Sequence, residues 1–229
     1  MSSAYGMREI ILDTETTGLD PLKGDRLVEI GCVELINHLP TGRTWHTFIN
    51  PQREVPLEAF EVHGLSTDFL ADKPLFQEVC DPFLEFIGDA PLIIHNGVFD
   101  MGFLNAELRR LSRPALPMER LVCTLEMARK KFSGGQNSLD ALCRRFGIDL
   151  SVRTKHGALV DCELLAEVYL QLCGGRQPGF ALGPATGPAT VIVVDRPHRP
   201  ARPHAPTADE LAAHAAFVAG LSNPLWQTA

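Results

Sequence analysis

Arg8-Glu-Ile-Ile-Leu-Asp-Thr-Glu-Thr-Thr-Gly18 is the stretch from which the rest of the chain can be read. The apolar run through Leu12 predicts a strand, and the polar residues and glycine after it predict a turn. Asp13 and Glu15 stand two apart at the end of that strand, so their side chains point to the same face. Working outward, Arg26 to Ile36 and Arg43 to Ile49 predict two more strands, with the connection between the first pair around Pro21 to Gly24. Pro74 to Ile87 and Val98 to Leu111 carry helical periodicity and flank a buried strand, Pro91 to Ile94. Short helices are expected near Leu125 to Lys131 and Ser138 to Phe146, and a longer one over Ala158 to Leu172. Three early strands followed by helices around further short strands predict an α/β or α+β domain with a mixed sheet.

Two neighbouring carboxylates repel unless one is protonated or a cation lies between them. Asp161 sharpens that point. Leu165, Val168 and Leu172 stand four, seven and eleven residues beyond it, which puts Asp161 in the middle of the apolar face of its helix. An ionised carboxylate at a core position costs several kcal/mol unless it is paired or ligates a metal. Asp161 has no lysine or arginine one turn away. Asp100 lies in the arc between Phe103, Leu104 and Leu111, but Glu107 shares that arc, so the helical wheel does not separate the two. Carboxylates without cysteine or a histidine cluster favour a hard cation, Mg²⁺ or Mn²⁺, over Zn²⁺. His156, just ahead of the helix that carries Asp161, is placed to act as a general base near neutral pH.

The 229 residues are enough for one domain and an appendage. Hydrophobic residues make up 45% and charged residues 21%, as in a globular protein with a full core. The net charge of −7 argues against a protein that grips nucleic acid with a basic surface. Residues through Cys173 carry −8 and the remainder +1, so the acidity belongs to the larger part. The six cysteines lie far apart without a Cys-x-x-Cys pair, and are read as reduced thiols of a cytoplasmic protein. Neither a signal-peptide pattern at the start nor an apolar run of membrane-spanning length is seen.

A compositional break falls near Cys173. From Gly174 to Pro206 there are seven prolines and five glycines, the composition of a flexible linker, with Val191 to Val194 a short apolar island in it. Thr207-Ala-Asp-Glu210 then has the form of a capping box, opening an Ala-rich helix through about Ala219. Leu225 and Trp226 follow. A short apolar-faced helix on a long tether is expected to dock on another protein.

Asp13-Thr-Glu-Thr-Thr-Gly18, Ile94-His-Asn-Gly-Val-Phe-Asp100 and His156-Gly-Ala-Leu-Val-Asp161 resemble, in order, the three motifs of the DEDD exonuclease superfamily. The His-x-x-x-x-Asp form of the third resembles the histidine (DEDDh) subfamily. Within it the chain is similar to the proofreading ε subunits of bacterial DNA polymerase III. Supporting segments are Glu58-Ala-Phe-Glu-Val-His63, Asn137-Ser-Leu-Asp-Ala-Leu-Cys143 and Ala166-Glu-Val-Tyr-Leu170. The likeness covers roughly Glu9 to Cys173.

The resemblance implies an RNase H-like fold, a mixed five-stranded sheet flanked by helices, and removal of nucleotides from a DNA 3′ end as 5′-monophosphates. It implies two Mg²⁺ or Mn²⁺ ions, bridged by Asp13, with Glu15 and Asp161 on the first and Asp100 on the second. His156 takes the proton of the attacking water. Glu58 and His63 match substrate-contacting positions near the terminal nucleotide, together with Asp13, Glu15 and Asp161. Asn96 and Phe99 match wall and stacking positions, and His95 is either a further lining residue or a core histidine. The implied organisation is an exonuclease domain over 1–173, a linker over 174–206 and a segment over 207–229 that binds the polymerase α subunit in the bacterial cytoplasm. A motif for the sliding clamp is expected just after the domain, where Gln177-Pro-Gly-Phe-Ala-Leu182 is the candidate, its glycine and proline departing from the pattern. RNA-trimming relatives such as RNase T and oligoribonuclease share the five catalytic-type residues, and the tethered segment is what favours the polymerase subunit. A non-catalytic scaffold is disfavoured by the retention of all five.

Overall fold

The computed structural model describes residues 6–151, 155–175 and 205–222. The chain divides into two units, Met1–Phe180 and Ala181–Ala229. In the first, strands β1 (Arg8–Thr16), β2 (Leu27–Ile36) and β3 (Leu39–Phe48) are followed by helices α1 (Leu57–His63), α2 (Thr67–Leu70) and α3 (Phe76–Ile87). Then come β4 (Leu92–Ile94), α4 (Val98–Arg110), β5 (Leu121–Cys123), α5 (Thr124–Lys131), α6 (Leu139–Phe146) and α7 (Ala158–Leu172). The sheet order is β3-β2-β1-β4-β5. The first three strands are antiparallel and β4 and β5 run parallel to β1, so the sheet is mixed, as expected.

β1 lies at the centre of the sheet, and helices cover both of its faces. On one side Ile10, Leu12, Ile30, Leu92 and Ile94 pack against Phe83 of α3 and Met101, Phe103 and Leu104 of α4. On the other, Ile11, Val33, Leu35 and Ile93 pack against Leu142 of α6 and Leu165 and Val168 of α7. Each such buried aliphatic or aromatic side chain contributes about 1.5–3 kcal/mol relative to exposure. Double coverage is why β1 and β2 read as continuous apolar runs instead of alternating ones.

Two expectations need correction. β1 does not end at Leu12: the Asp-Thr-Glu-Thr segment stays in the ladder, with Asp13 opposite Gly31 and Glu15 opposite Glu29. The motif is therefore carried on a hydrogen-bonded strand, and the turn begins after it. β3 starts at Leu39, four residues before the predicted Arg43, after a hairpin turn in which Asn37 and His38 adopt φ of 51° and 67°. Pro40 and Gly42 look like strand breakers, yet β3 is the sheet edge, where proline costs no ladder bond.

Among the described residues of the second unit is α8 (Ala208–Ala219). Its capping box is present as predicted: the Glu210 amide donates to Thr207 Oγ1 and the Thr207 amide donates to Glu210 Oε2. Most of the proposed linker, the island at Val191 to Val194, the clamp-motif candidate and Leu225 and Trp226 lie outside the described residues. Among the described residues all six cysteines are free thiols, four of them buried. No described helix is long and apolar enough to cross a membrane.

Candidate active site

Alternation along β1 sends its motif residues to opposite sides. Ile11 belongs to the face covered by α7, and Ile10 and Leu12 to the face covered by α4. Asp13 and Glu15 continue the first set and Thr14 the second. Thr14 Oγ1 donates a 2.7 Å hydrogen bond to Asp100 Oδ1 in the first turn of α4. Asp161, in the first turn of α7, meets Glu15 from the other side. Three elements thus bring four carboxylates to one end of β1.

Gly31 makes this approach possible. A Cβ built at Gly31 would lie 2.5 Å from the carbonyl carbon of Ala158 and 2.6 Å from the amide nitrogen of Leu159. Both are backbone atoms, so the first turn of α7 rests on β2 only because residue 31 has no side chain. Cys162 donates from Sγ to the Gly31 carbonyl, closing the contact.

Ligand atoms of Glu15, His156 and Asp161 all fall within 4.8 Å of one another, and His156 Nδ1 stands 3.3 Å from Asp161 Oδ2. Burial, reinforced by the charges of Asp100, Glu15, Asp161 and Glu29, raises the Asp13 carboxyl well above its usual range. Burial likewise pushes Asp100 up to about 7, against the hydrogen bond from Thr14, which favours its charged form. Among the described residues neither Asp13 nor Asp100 forms an ion pair with lysine or arginine. Clustered oxygen donors whose mutual repulsion disfavours ionisation suit a small divalent cation, which relieves that repulsion.

A cavity of about 770 Å³ opens over this cluster, lined by all four carboxylates and His156, with Asn96, His95 and Arg129 among the walls. A second, of about 550 Å³, adjoins it and is lined by Glu58, His63, Leu19, Pro56, Ala59 and Val62. Thr14, Glu15 and Phe99 line both. Phe99, its ring tilted against Phe103 with centroids 4.9 Å apart, therefore stands at the divide. Asn96 is exposed and left-handed (φ 62°), a conformation asparagine tolerates better than most residues, at the turn that launches α4. Glu58 is exposed on α1. His63 is buried, and its Nδ1 accepts from the Leu65 amide at 3.0 Å, so the neutral ring carries its proton on Nε2. Burial holds the pKa of His63 below the usual value, which keeps the ring neutral near pH 7. The His156 amide donates to the Val62 carbonyl of α1, tying a residue of the larger cavity to a wall residue of the smaller. His95, half-buried, lines the larger cavity and bonds Thr124 Oγ1 through Nδ1 at 3.0 Å.

Sequence reasoning missed Thr14, Gly31 and Arg129. Thr14 was readable from strand alternation once α4 was placed across the sheet. A glycine inside an apolar strand is the standing mark of close backbone approach, so Gly31 had a signal as well. Arg129, on a short helix of mixed charge, had none.

The family described as Exonuclease matches residues 10–169. DNA polymerase III subunit epsilon of Rickettsia felis is 55% identical over 179 residues, covering 77% of this chain and 78% of that protein. The subunit of the same name from Escherichia coli is 45% identical over 229 residues, covering 94% and 93%. The chain belongs to the exonuclease family, among the DNA polymerase III epsilon subunits. Membership in this epsilon family makes it a 3′–5′ exonuclease with a proofreading function, hydrolysing phosphodiester bonds in a family that depends on metal. Solved structures agree on the fold. Exonuclease X in complex with 5′ overhanging duplex DNA superposes with a TM-score of 0.55 at 25% identity, covering 71% of this chain and 89% of that one. The nuclease domain of 3′hExo, a DEDDh family member bound to rAMP, gives 0.64 at 18%, covering 75% and 94%.

Proposed function

We propose that the chain removes mispaired nucleotides from the 3′ end of DNA as 5′-monophosphates, with Asp13, Glu15, Asp100 and Asp161 holding two Mg²⁺ or Mn²⁺ ions. The observation that carries this reading is the convergence of four carboxylates from three elements on one cavity beside His156. The donor set fits such ions: it is all oxygen apart from one imidazole, and it gathers negative charge where Asp13 and Asp100 are disfavoured as anions. When bound, the ions supply a nucleophile at neutral pH and stabilise charge on the attacking and leaving oxygens. His156, held by Asp161 at the cavity, takes the proton of the attacking water. Glu58 and the Nε2–H of His63 orient the terminal nucleotide in the smaller cavity, whose apolar wall suits a base and sugar. Phe99 and Asn96 bound the nucleotide at the divide.

Selection against mispairs needs no reading of bases, since a mispaired end frays and reaches a single-strand site more often. The names of the relatives favour DNA over RNA trimming. They also favour a place in the bacterial cytoplasm, in a complex with the polymerase α subunit through 207–229. Leu211 and Phe217 of α8 are more than half exposed, as a docking helix requires. Residues 1–173 are the exonuclease domain in this reading, 174–206 the tether, and 177–182 the candidate for the clamp. The test is a 3′-labelled DNA strand with matched or mismatched terminus. Metal-dependent release of labelled 5′-monophosphate, faster from the mismatch, is expected; equal rates, or activity on RNA alone, would contradict it.

A further inference from the structure

A scissile phosphate at the carboxylates divides its strand between two cavities. The smaller, of about 550 Å³, is walled by Leu19, Pro56, Ala59 and Val62 and has room for a nucleoside. With the terminal nucleotide there, the rest of the strand lies along the larger cavity, and its phosphates need a cation in a site that is otherwise acidic.

Arg129 is that cation. It projects from α5, is exposed, and lines the same cavity as Asp13, Glu15, Asp100 and Asp161. Among the described residues it forms no ion pair and no hydrogen bond. Two cations near it, Lys131 and Arg145, are engaged elsewhere. Lys131 donates to the Gln171 and Leu172 carbonyls at the end of α7. Arg145 stacks over the Phe132 ring at 4.4 Å and donates to Asn137 Oδ1 and the Gln136 carbonyl. Arg145 thereby pins the loop 133–138 beside Arg129. That loop ends at Ser138, which caps α6 by accepting from the Ala141 amide, and Gly135, Asn137 and Ser138 line the cavity with Arg129. An arginine fork beside a fixed loop is the geometry that suits a phosphate oxygen pair.

We propose that Arg129, with the loop 133–138, binds an internal phosphodiester of the single strand on the 5′ side of the scissile bond. The subsite sets affinity for a strand without acting on the bond that breaks. It rests on the exonuclease reading and adds the direction in which the strand leaves the site.

Two substrates separate the roles. The p-nitrophenyl ester of thymidine 5′-monophosphate carries the scissile phosphodiester and no other phosphate; a single-stranded deoxyoligonucleotide carries many. In the full chain with Mg²⁺, Arg129→Gln should hydrolyse the ester with kcat and KM within about twofold of wild type. On the oligonucleotide KM should rise about tenfold with kcat nearly unchanged, as loss of one charge-assisted phosphate contact implies. The slope of log(kcat/KM) against log salt should fall by about 0.7, the value for one phosphate contact on a single strand. Arg129→Lys should recover part of the KM. Equal losses on both substrates would place Arg129 at the reacting centre and overturn the subsite, as would no loss on either. A wild-type chain that releases no p-nitrophenol overturns the exonuclease reading and this inference together.

Discussion

Buried acids occur in two settings in this molecule. Glu107, 2% exposed on α4, receives a two-pronged bond from Arg26 (2.5 and 2.9 Å) and another from Arg110 at 2.9 Å. Glu34, 3% exposed on β2, is held by Arg8 at 2.7 Å, Arg43 at 2.9 Å and Thr41. Glu9 takes His38 and the Tyr169 hydroxyl, and Glu29 takes His46. In each of these the chain supplies an arginine or a histidine as partner. Asp13 and Asp100 are instead set among other carboxylates, and the chain brings them no arginine or lysine among the described residues. The fold can neutralise a buried acid wherever it needs one for structure, so a group of acids facing one another marks a place for chemistry.

That contrast can be broken from either side. Asp13→Ala should lower hydrolysis at least about a thousandfold, the loss expected when a metal-clamped transition state loses its ligand, while thermal unfolding stays at or above the wild-type temperature. Glu107→Ala should do the reverse. It strands Arg26 in a largely buried position and costs about 3 kcal/mol of stability by denaturant titration, with activity per folded molecule retained. His156→Ala should cost about a hundredfold at neutral pH and leave a residue of activity that rises with pH, since solvent hydroxide partly replaces the base. Full activity at pH 7 would remove His156 from the mechanism.

Gly31→Ala probes the scaffold that brings the two settings together. The added methyl meets backbone atoms of Ala158 and Leu159 that cannot swing aside. The first turn of α7 must retreat from β2, and Asp161 moves with it. A displacement on the order of 1 Å predicts up to about a hundredfold loss in kcat with the chain still folded.

How far the sequence carried this picture depends on which kind of signal each residue left. The apolar run before Asp13 and the periodicity around Asp161 were enough for the strand and the last helix, and the misplaced polarity of Asp161 is what the metal proposal starts from. Asp100 was not separable from Glu107 on a helical wheel, because both are buried on one helix; only the tertiary partner of Glu107, Arg26 on another element, tells them apart. The early start of β3 was hidden by Pro40 and Gly42, which are tolerated because the strand is an edge. α2 and β5 span four and three residues, too few for a period to show. Arg129 became visible only when the cavity it lines was known.

The two settings also predict opposite pH dependences, the smallest effect here. Asp100 has its folded pKa raised from 3.8 to about 7, so the stability it lends the metal-free protein is full below about pH 4 and lost as pH rises through about 7. Asp100→Asn should flatten that decline. Burial pushes Glu34 upward, but the hydrogen bonds of Arg8 and Thr41 and the charges of Arg8 and Arg43 outweigh it and hold the carboxyl below its usual 4.5. Its contribution is therefore present above that range and lost as pH falls through the lowered value, and Glu34→Gln should remove the loss. Urea titrations in chelator from well below pH 4 up to pH 8 read both.

Calorimetric titration of Mn²⁺ into the chain and into its Asp13→Ala variant asks most directly whether the acids at the end of β1 serve a cation. Wild type should bind about two ions per chain, the number a two-metal phosphodiester site requires, and the variant should bind at least about tenfold more weakly. Absence of binding to wild type, or undiminished binding to the variant, would contradict the assignment.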